Sequence, residues 1–257
     1  MLIQTIFYLR EYLFPSGCGG CGEALIRAED ASFGLCEDCR ALLTTAVSAE
    51  KRCGICGKPL ITEKHTCLSC RKGETGESTS YSEHLVKMQT LFPYKGRFKA
   101  ILGAYKFGKS LGVGNFLAQC LASSLAGFEP ESAPDDDAVA YNVAWVPVPP
   151  RSGKIKKQGW DQIEYLAGLL KKNHRQSRLE LPVCRCLKRL PSRSQKELNR
   201  EQRGSNLKGR ILCIRQPPKT AIIFDDVVTT GATLNACAAS LIEGGAESVY
   251  AVCLFYD

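Results

Sequence analysis

Apolar residues in the C-terminal two thirds of the chain alternate between two spacings, and the switches outline strands followed by helices. Leu85 to Tyr94 reads as a strand and Phe98 to Phe107 as a helix. Leu111 to Leu125 is an amphipathic helix with Leu117, Cys120, Leu121 and Leu125 on one face. After an acidic loop over Pro130 to Asp137, the apolar run Val143 to Val148 reads as a strand leading into Pro149-Pro150 and a basic turn. Asp161 to Lys172 is a helix with Ile163, Leu166, Ala167 and Leu170 facing inward. Val183 to Leu187 is a short strand, followed by a basic, Arg/Gln/Asn-rich stretch to Lys208. Ala221-Ile222-Ile223-Phe224 then reads as a buried strand, four apolar residues of which two are β-branched and one aromatic. A helix follows at once, with Leu234, Cys237, Ala238, Leu241 and Ile242 on one face, closed by Gly244-Gly245. Ser248 to Phe255 is the last strand. This order predicts the α/β class: a mostly parallel sheet with helices on both faces and a ligand site beyond the C-terminal strand ends.

The first 75 residues follow another rule. Their apolar start (Leu2, Ile3, Ile6, Phe7, Leu9, Leu13, Phe14) is interrupted by Arg10-Glu11 and lacks a small-residue cleavage site. The spacing predicts a short amphipathic helix docked on the protein. No run reaches the ~18 apolar residues of a membrane span. Eight of the fourteen cysteines then fall into four C-x-x-C pairs: Cys18/Cys21, Cys36/Cys39, Cys53/Cys56 and Cys67/Cys70. Each pair sets two thiolates on one tight turn, half of a tetrahedral site, and in a reducing cytoplasm paired thiols mean metal rather than disulfides. Two consecutive four-cysteine zinc ribbons are the natural pairing; cross-bracing of first pair with third, and an iron–sulfur cluster in place of zinc, are the alternatives. Such sites are closed by their ligands and therefore structural. His65, two residues before Cys67, reads as bystander surface. The remaining six cysteines read as small buried apolar residues. A Gly/Ser/Thr-rich stretch follows the last pair. The domain plan is thus 1–75 for the helix and cysteine module, 76–84 for a linker, and 85–257 for the α/β domain.

Charge sharpens the picture. Arg151 to Lys219 carries 19 Lys/Arg against 5 Asp/Glu, a net of +14 within a chain of +8, which leaves −6 for the rest. That stretch is either a solvated basic loop or a face suited to polyphosphate or a nucleic-acid backbone.

The candidate chemistry sits at Asp225-Asp226-Val227-Val228-Thr229-Thr230-Gly231-Ala232-Thr233. A tight turn between a strand and a helix N-terminus directs backbone N–H groups and the positive end of the helix dipole at an anion. Thr229, Thr230 and Thr233 add hydroxyls, and Gly231 permits close backbone approach. The two carboxylates repel a phosphate but suit sugar hydroxyls or a hydrated Mg2+. The nonapeptide and its strand resemble the 5-phosphoribosyl-1-pyrophosphate (PRPP) motif of type I phosphoribosyltransferases. A competing pattern, Gly103-Ala104-Tyr105-Lys106-Phe107-Gly108-Lys109-Ser110, has the letters of a nucleotide-binding P-loop but follows a helical period rather than a strand.

Cysteine ribbons ahead of a PRPP motif resemble the ComF/GntX family of bacterial competence-type proteins. The likeness runs through Phe14-Pro15, Tyr94-Lys95-Gly96, Lys106-Phe107, Val146-Pro147-Val148-Pro149, Gln158 to Gln162, Ser194-Gln195, Leu198, Arg203 and Asn206. The resemblance implies a type I phosphoribosyltransferase fold, two structural zinc ions, and PRPP or a nucleotide as ligand with Mg2+. It implies that Asp225 and Asp226 orient the ribose while Thr229 to Thr233 hold the 5-phosphate. Arg151 and Lys154, after a strand end, and Arg193, Gln195, Arg203 and Asn206, in the lid-sized basic stretch, are its candidates for pyrophosphate. It further implies a cytoplasmic role in DNA uptake, with single-stranded DNA or a competence helicase as partner. As a second class of function, a non-catalytic binding module would stack bases on Phe98, Tyr105 or Trp160. No residue is singled out as catalytic. Two departures stand out. Gln158-Gly159-Trp160-Asp161-Gln162 replaces the expected Arg-Gly-Phe-Asn-Gln, weakening any pyrophosphate contact there. Thr229 stands where purine-salvage relatives carry a carboxylate, which argues against hypoxanthine or guanine as acceptor.

Overall fold

The computed structural model describes residues 16–48, 51–68, 70–71, 84–127, 142–173, 181–191 and 209–257. In chain order these form α1 (Ala28–Phe33), α2 (Glu37–Val47), β1 (Lys87–Pro93), α3 (Gly96–Lys106), α4 (Leu111–Ser123), β2 (Val143–Pro147), α5 (Lys154–Gln158), α6 (Gln162–Asn173), β3 (Leu187–Arg189), β4 (Ile211–Cys213), β5 (Thr220–Val228), α7 (Ala232–Glu243) and β6 (Ser248–Tyr256). The expected N-terminal helix, nearly all of the linker and the acidic loop lie outside the described residues.

Four parallel strands build the main sheet in the order β1-β6-β5-β2. Its central strands are apolar at consecutive positions because both faces are covered. On one face α3, α4 and α6 bring Leu102, Leu117 and Leu166 against Trp145, Phe224 and Leu254. On the other, α7 and the antiparallel pair β3-β4 bring Leu241, Cys237 and Leu187 against Ile223 and Ala251. The parallel α/β architecture read from the apolar pattern is the one observed.

The cysteine segments are fixed to this sheet by different means. The first packs its Cys18, Leu25, Leu35 and Leu43 into the same core as Val113 and Leu117 of α4. The second lies on β1, the sheet's edge. Arg52 donates to the Thr90 carbonyl at 2.7 Å, and the Thr90 hydroxyl donates to the Cys56 carbonyl at 3.2 Å. Gly57, at φ +68°, passes so close that a Cβ would stand 2.4 Å from Gln89 Cα. An edge strand is a template for unwanted pairing, and the second ribbon covers it.

Three differences from the sequence pattern have physical causes, and one expectation is met. Val183 makes one parallel bridge to Trp145, and the chain then leaves the main sheet, so the strand expected over 183–187 becomes β3 at 187–189. Its partner β4 is three residues long, too short for periodicity to show. The basic turn after Pro150 closes into α5, a single turn between Gly153 and Gly159, both with positive φ. Helices α1 and α2 occupy the cysteine module, where glycines and paired thiols had dominated the reading. The P-loop pattern is preceded by α3, not by a strand, and so lacks the required context.

Candidate functional site

Two kinds of site emerge, closed and open. In the closed kind, the Sγ atoms of Cys18, Cys21, Cys36 and Cys39 lie within 4.8 Å of one another, and so do those of Cys53, Cys56, Cys67 and Cys70. The pairing is sequential rather than cross-braced. Cys21 and Cys36, and likewise Cys56 and Cys67, have sulfurs 3.7 Å apart. Four thiolates at ~2.3 Å from a tetrahedral zinc stand about 3.8 Å apart, so both quartets fit the ion. His65 is exposed and outside the cluster; its carbonyl accepts from Gly54 N–H.

The open site lies where β2 and β5 end side by side. The chain leaves β5 through α7 toward β6 on one face, and leaves β2 through α6 on the other, which opens a crevice between the two strand ends. A cavity of about 1020 Å³ fills that crevice. All nine residues from Asp225 to Thr233 line it, as do Arg151 and Lys154. Gly231, at φ +75°, turns the chain into α7, a conformation that costs any other residue strain. The first N–H of α7, that of Ala232, points back to Thr230 Oγ1 at 3.4 Å. Arg193, Gln195, Arg203 and Asn206 lie outside the described residues.

The two carboxylates are not equivalent, because adjacent residues on a strand face opposite sides. Asp226 is buried toward α3 and α6. Its Oδ2 accepts from Lys106 Nζ at 2.8 Å and from Gln162 Nε2 at 2.5 Å. Asp225 Oδ1 accepts from the Asp226 N–H at 2.8 Å. Burial and the neighbouring Asp226 push the Asp225 carboxyl up to about 7. Lys154 is engaged by the protein: it pairs with the buried Asp161 at 2.5 Å and donates to Gln162 Oε1. Asp161 also caps α6, accepting from Ile163 and Glu164 N–H groups. The carboxylate at 161 is therefore explained by Lys154 and the helix start.

Arg189, which the sequence suggests only as the first residue of a lid-sized basic loop running to Arg203, is a cavity residue. Its residue is 9 % exposed, it lines the cavity, and its Nε and Nη2 have no hydrogen-bond partner among the described residues. Burial and nearby Arg151 pull its pKa down. Lys106, Phe107 and Lys109 also line the cavity, so the false P-loop supplies part of the site. Of the three aromatics weighed for stacking, Tyr105 is buried, Phe98 stacks on Phe92 in the core, and half-buried Trp160 reaches the cavity against Tyr105. Phe107, at 82 % exposure, is the open ring instead.

Comparison with known proteins bears on the closed sites. The double zinc ribbon domain model matches residues 9–71. Over 228 residues the chain is 27% identical to the competence protein ComFC of Streptococcus pneumoniae, covering 88% of each protein. The chain is thus similar to a competence protein of the ComF type over most of its length. Its two cysteine quartets are the zinc sites of the double ribbon. Among the described residues no helix is long and apolar enough to cross a membrane.

Proposed function

We propose that the strand-end cavity binds the 5-phosphoribosyl group of PRPP or of a nucleotide, and that the chain acts in DNA uptake during competence, the process in its relative's name. One observation carries the reading. A helix N-terminus with its threonine turn and a pair of carboxylates converge on one cavity, as a ligand with a phosphate at one end and hydroxyls at the other requires.

In this reading Thr229 to Thr233 hold the 5-phosphate, and the carboxylate pair meets the ribose hydroxyls. Arg151 and Arg189 receive a leaving pyrophosphate. Lys154, tied to Asp161, orients Gln162 instead of touching the ligand. Mg2+, when bound with PRPP, neutralises pyrophosphate charge, and the ligand's oxygens and water supply most of its coordination. Asp225 is the carboxylate with room to join them, because Asp226 already faces Lys106. Phosphoribosyl transfer to an acceptor is the activity this arrangement would serve.

The exposed ring of Phe107, set between Lys106 and Lys109 at the cavity, supports a second reading: single-stranded DNA stacks a base there, without catalysis.

Calorimetric titration of PRPP with Mg2+ into the wild type and into Asp225→Asn/Asp226→Asn tests the first reading. Binding in the wild type, weakened at least about hundredfold in the double variant, is the expected result. No binding in the wild type, together with salt-dependent affinity for single-stranded DNA, selects the second.

A further inference from the structure

We infer that the sugar site needs just one of the two ribose hydroxyls and therefore accepts one of the two monodeoxy forms of the sugar 5-phosphate nearly as well as the ribose form. The inference rests on the reading of the cavity as a ribose 5-phosphate site and goes beyond it to the sugar the site selects.

A site rejects an analogue that lacks a hydroxyl when the missing group leaves a buried polar partner unmatched; discrimination of about 10⁴-fold arises in this way. A pair of free carboxylates would read both hydroxyls with that strength. Here the pair is split. Asp226 is matched before any ligand arrives, since a cation from the end of α3 and an amide from the start of α6 both serve its Oδ2. The Lys106 side chain is 24% exposed and that of Asp226 8%, so little water competes for the pair. A hydroxyl arriving at Asp226 adds a neutral donor to a charge that is already compensated. Its absence leaves nothing stranded.

Asp225 is the opposite case. Among the described residues its one hydrogen bond is from the Asp226 N–H, and it retains partial exposure to the cavity. Arg189 lines the same cavity with two buried nitrogens that have no hydrogen-bond partner among the described residues, and as a cation with no acceptor it does not read a sugar hydroxyl as Asp225 does. One hydroxyl is thus read by Asp225 and the other is read weakly.

The fixed position of Lys106 strengthens the case. It is the last residue of α3, and the neighbouring Tyr105 hydroxyl donates to the Gln162 carbonyl. The two helices that supply both partners of Asp226 are therefore tied to each other. A ligand would have to break this contact to expose Asp226, and nothing in a neutral diol offsets the loss of the ion pair.

The experiment compares three probes on the full-length zinc-loaded protein by calorimetry: adenosine 5′-monophosphate and its 2′-deoxy and 3′-deoxy analogues. One deoxy analogue binding within about tenfold of the parent supports the inference and identifies the hydroxyl on the Asp226 side. Both analogues weaker by more than about tenfold overturns it while leaving the ribose-phosphate reading intact. No binding of the parent nucleotide overturns that reading and the inference with it. Lys106→Met adds a check with the sign fixed in advance. It strips Asp226 of its cation, so the tolerated analogue should fall at least about tenfold relative to the parent, and an unchanged ratio rejects the role given to Lys106.

Discussion

The zinc ribbons and the strand-end cavity each gather like groups that repel when ionised, and they manage the repulsion in opposite ways. At Cys18 burial opposes the thiolate, yet the N–H groups of Cys21, Cys36 and Gly20 overcome it and pull the thiol down to about 6. Cys53 is brought to about 7 by the same balance. Their neighbours Cys39 and Cys70 are pushed the other way by burial and by the adjacent sulfurs, a conflict that a metal holding four thiolates resolves. In the cavity burial wins, and Asp225 is held near 7 with no cationic side chain bonded to it among the described residues. A closed cluster contributes to folding. An open one keeps its unfavourable electrostatics for a ligand to relieve, so changes at the two ends should separate stability from binding.

The largest effect is expected from breaking a ribbon. Cys53→Ser removes a ligand whose sulfur accepts from Cys67 N–H at 3.3 Å, in the module that covers β1. Structural zinc sites contribute ~10 kcal/mol or more to the folding of small modules. Part of that loss reaches the sheet, because Arg52, two of whose carbonyl acceptors lie in α2 and one in β1, leaves with the ribbon. Elemental analysis should fall from two zinc ions per chain to one, and Tm should drop by ~10 °C or more. A drop confined to the ribbon, with Tm of the α/β core unchanged, would show the modules to be independent.

Gly57→Ala tests the contact between them without touching the metal. The new Cβ would meet backbone of β1, Gln89 Cα and Met88 O, each at 2.4 Å, and φ is +68°. Neither atom can yield as a side chain would. A cost of ~3 kcal/mol or more follows from strain and displacement together. Nucleotide affinity of the folded protein should not change, because among the described residues none from the ribbons lines the cavity. Denaturant midpoints and calorimetry on one preparation read both quantities.

The same contrast separates what the sequence disclosed from what it withheld. The apolar runs at 143–148 and 221–224 fell on β2 and β5 because a strand buried on both faces leaves an unbroken signature. The cysteine quartets were legible because metal geometry demands short spacing. The turn from Thr229 to Thr233 was visible for the same local reason. Partners brought from elsewhere in the chain were not. Lys106 belongs to a segment dismissed as a false P-loop, and its pairing with Asp226 spans 120 positions. Arg189 lies on a three-residue strand whose burial pattern is set by β4 and α7 rather than by its own neighbours. The departure at Asp161 looked like a weakened anion contact until Lys154 was seen beside it.

The smallest effect, and the one that isolates the open site, is expected from Asp225→Asn. The folded carboxyl titrates near 7 instead of the ordinary 3.8, so the folded chain holds a proton that the unfolded chain has lost between those values. Folded protein then binds more protons than unfolded, and stability declines as pH rises from about 4 to about 7, levelling off above. Asparagine cannot ionise and removes this decline. Because Asp225 is partly exposed to the cavity, the gain at pH 8 is set at ~1–2 kcal/mol rather than at the full shift, or roughly 2–8 °C in Tm. At pH 4 the variant and wild type should melt together. The variant should also bind nucleotide more weakly, making it more stable and less competent at once, the inverse of Gly57→Ala. Equal melting at pH 4 and pH 8 would mean that Asp225 is no more costly to ionise than a surface carboxylate, and the contrast between the closed and open clusters would fall with it.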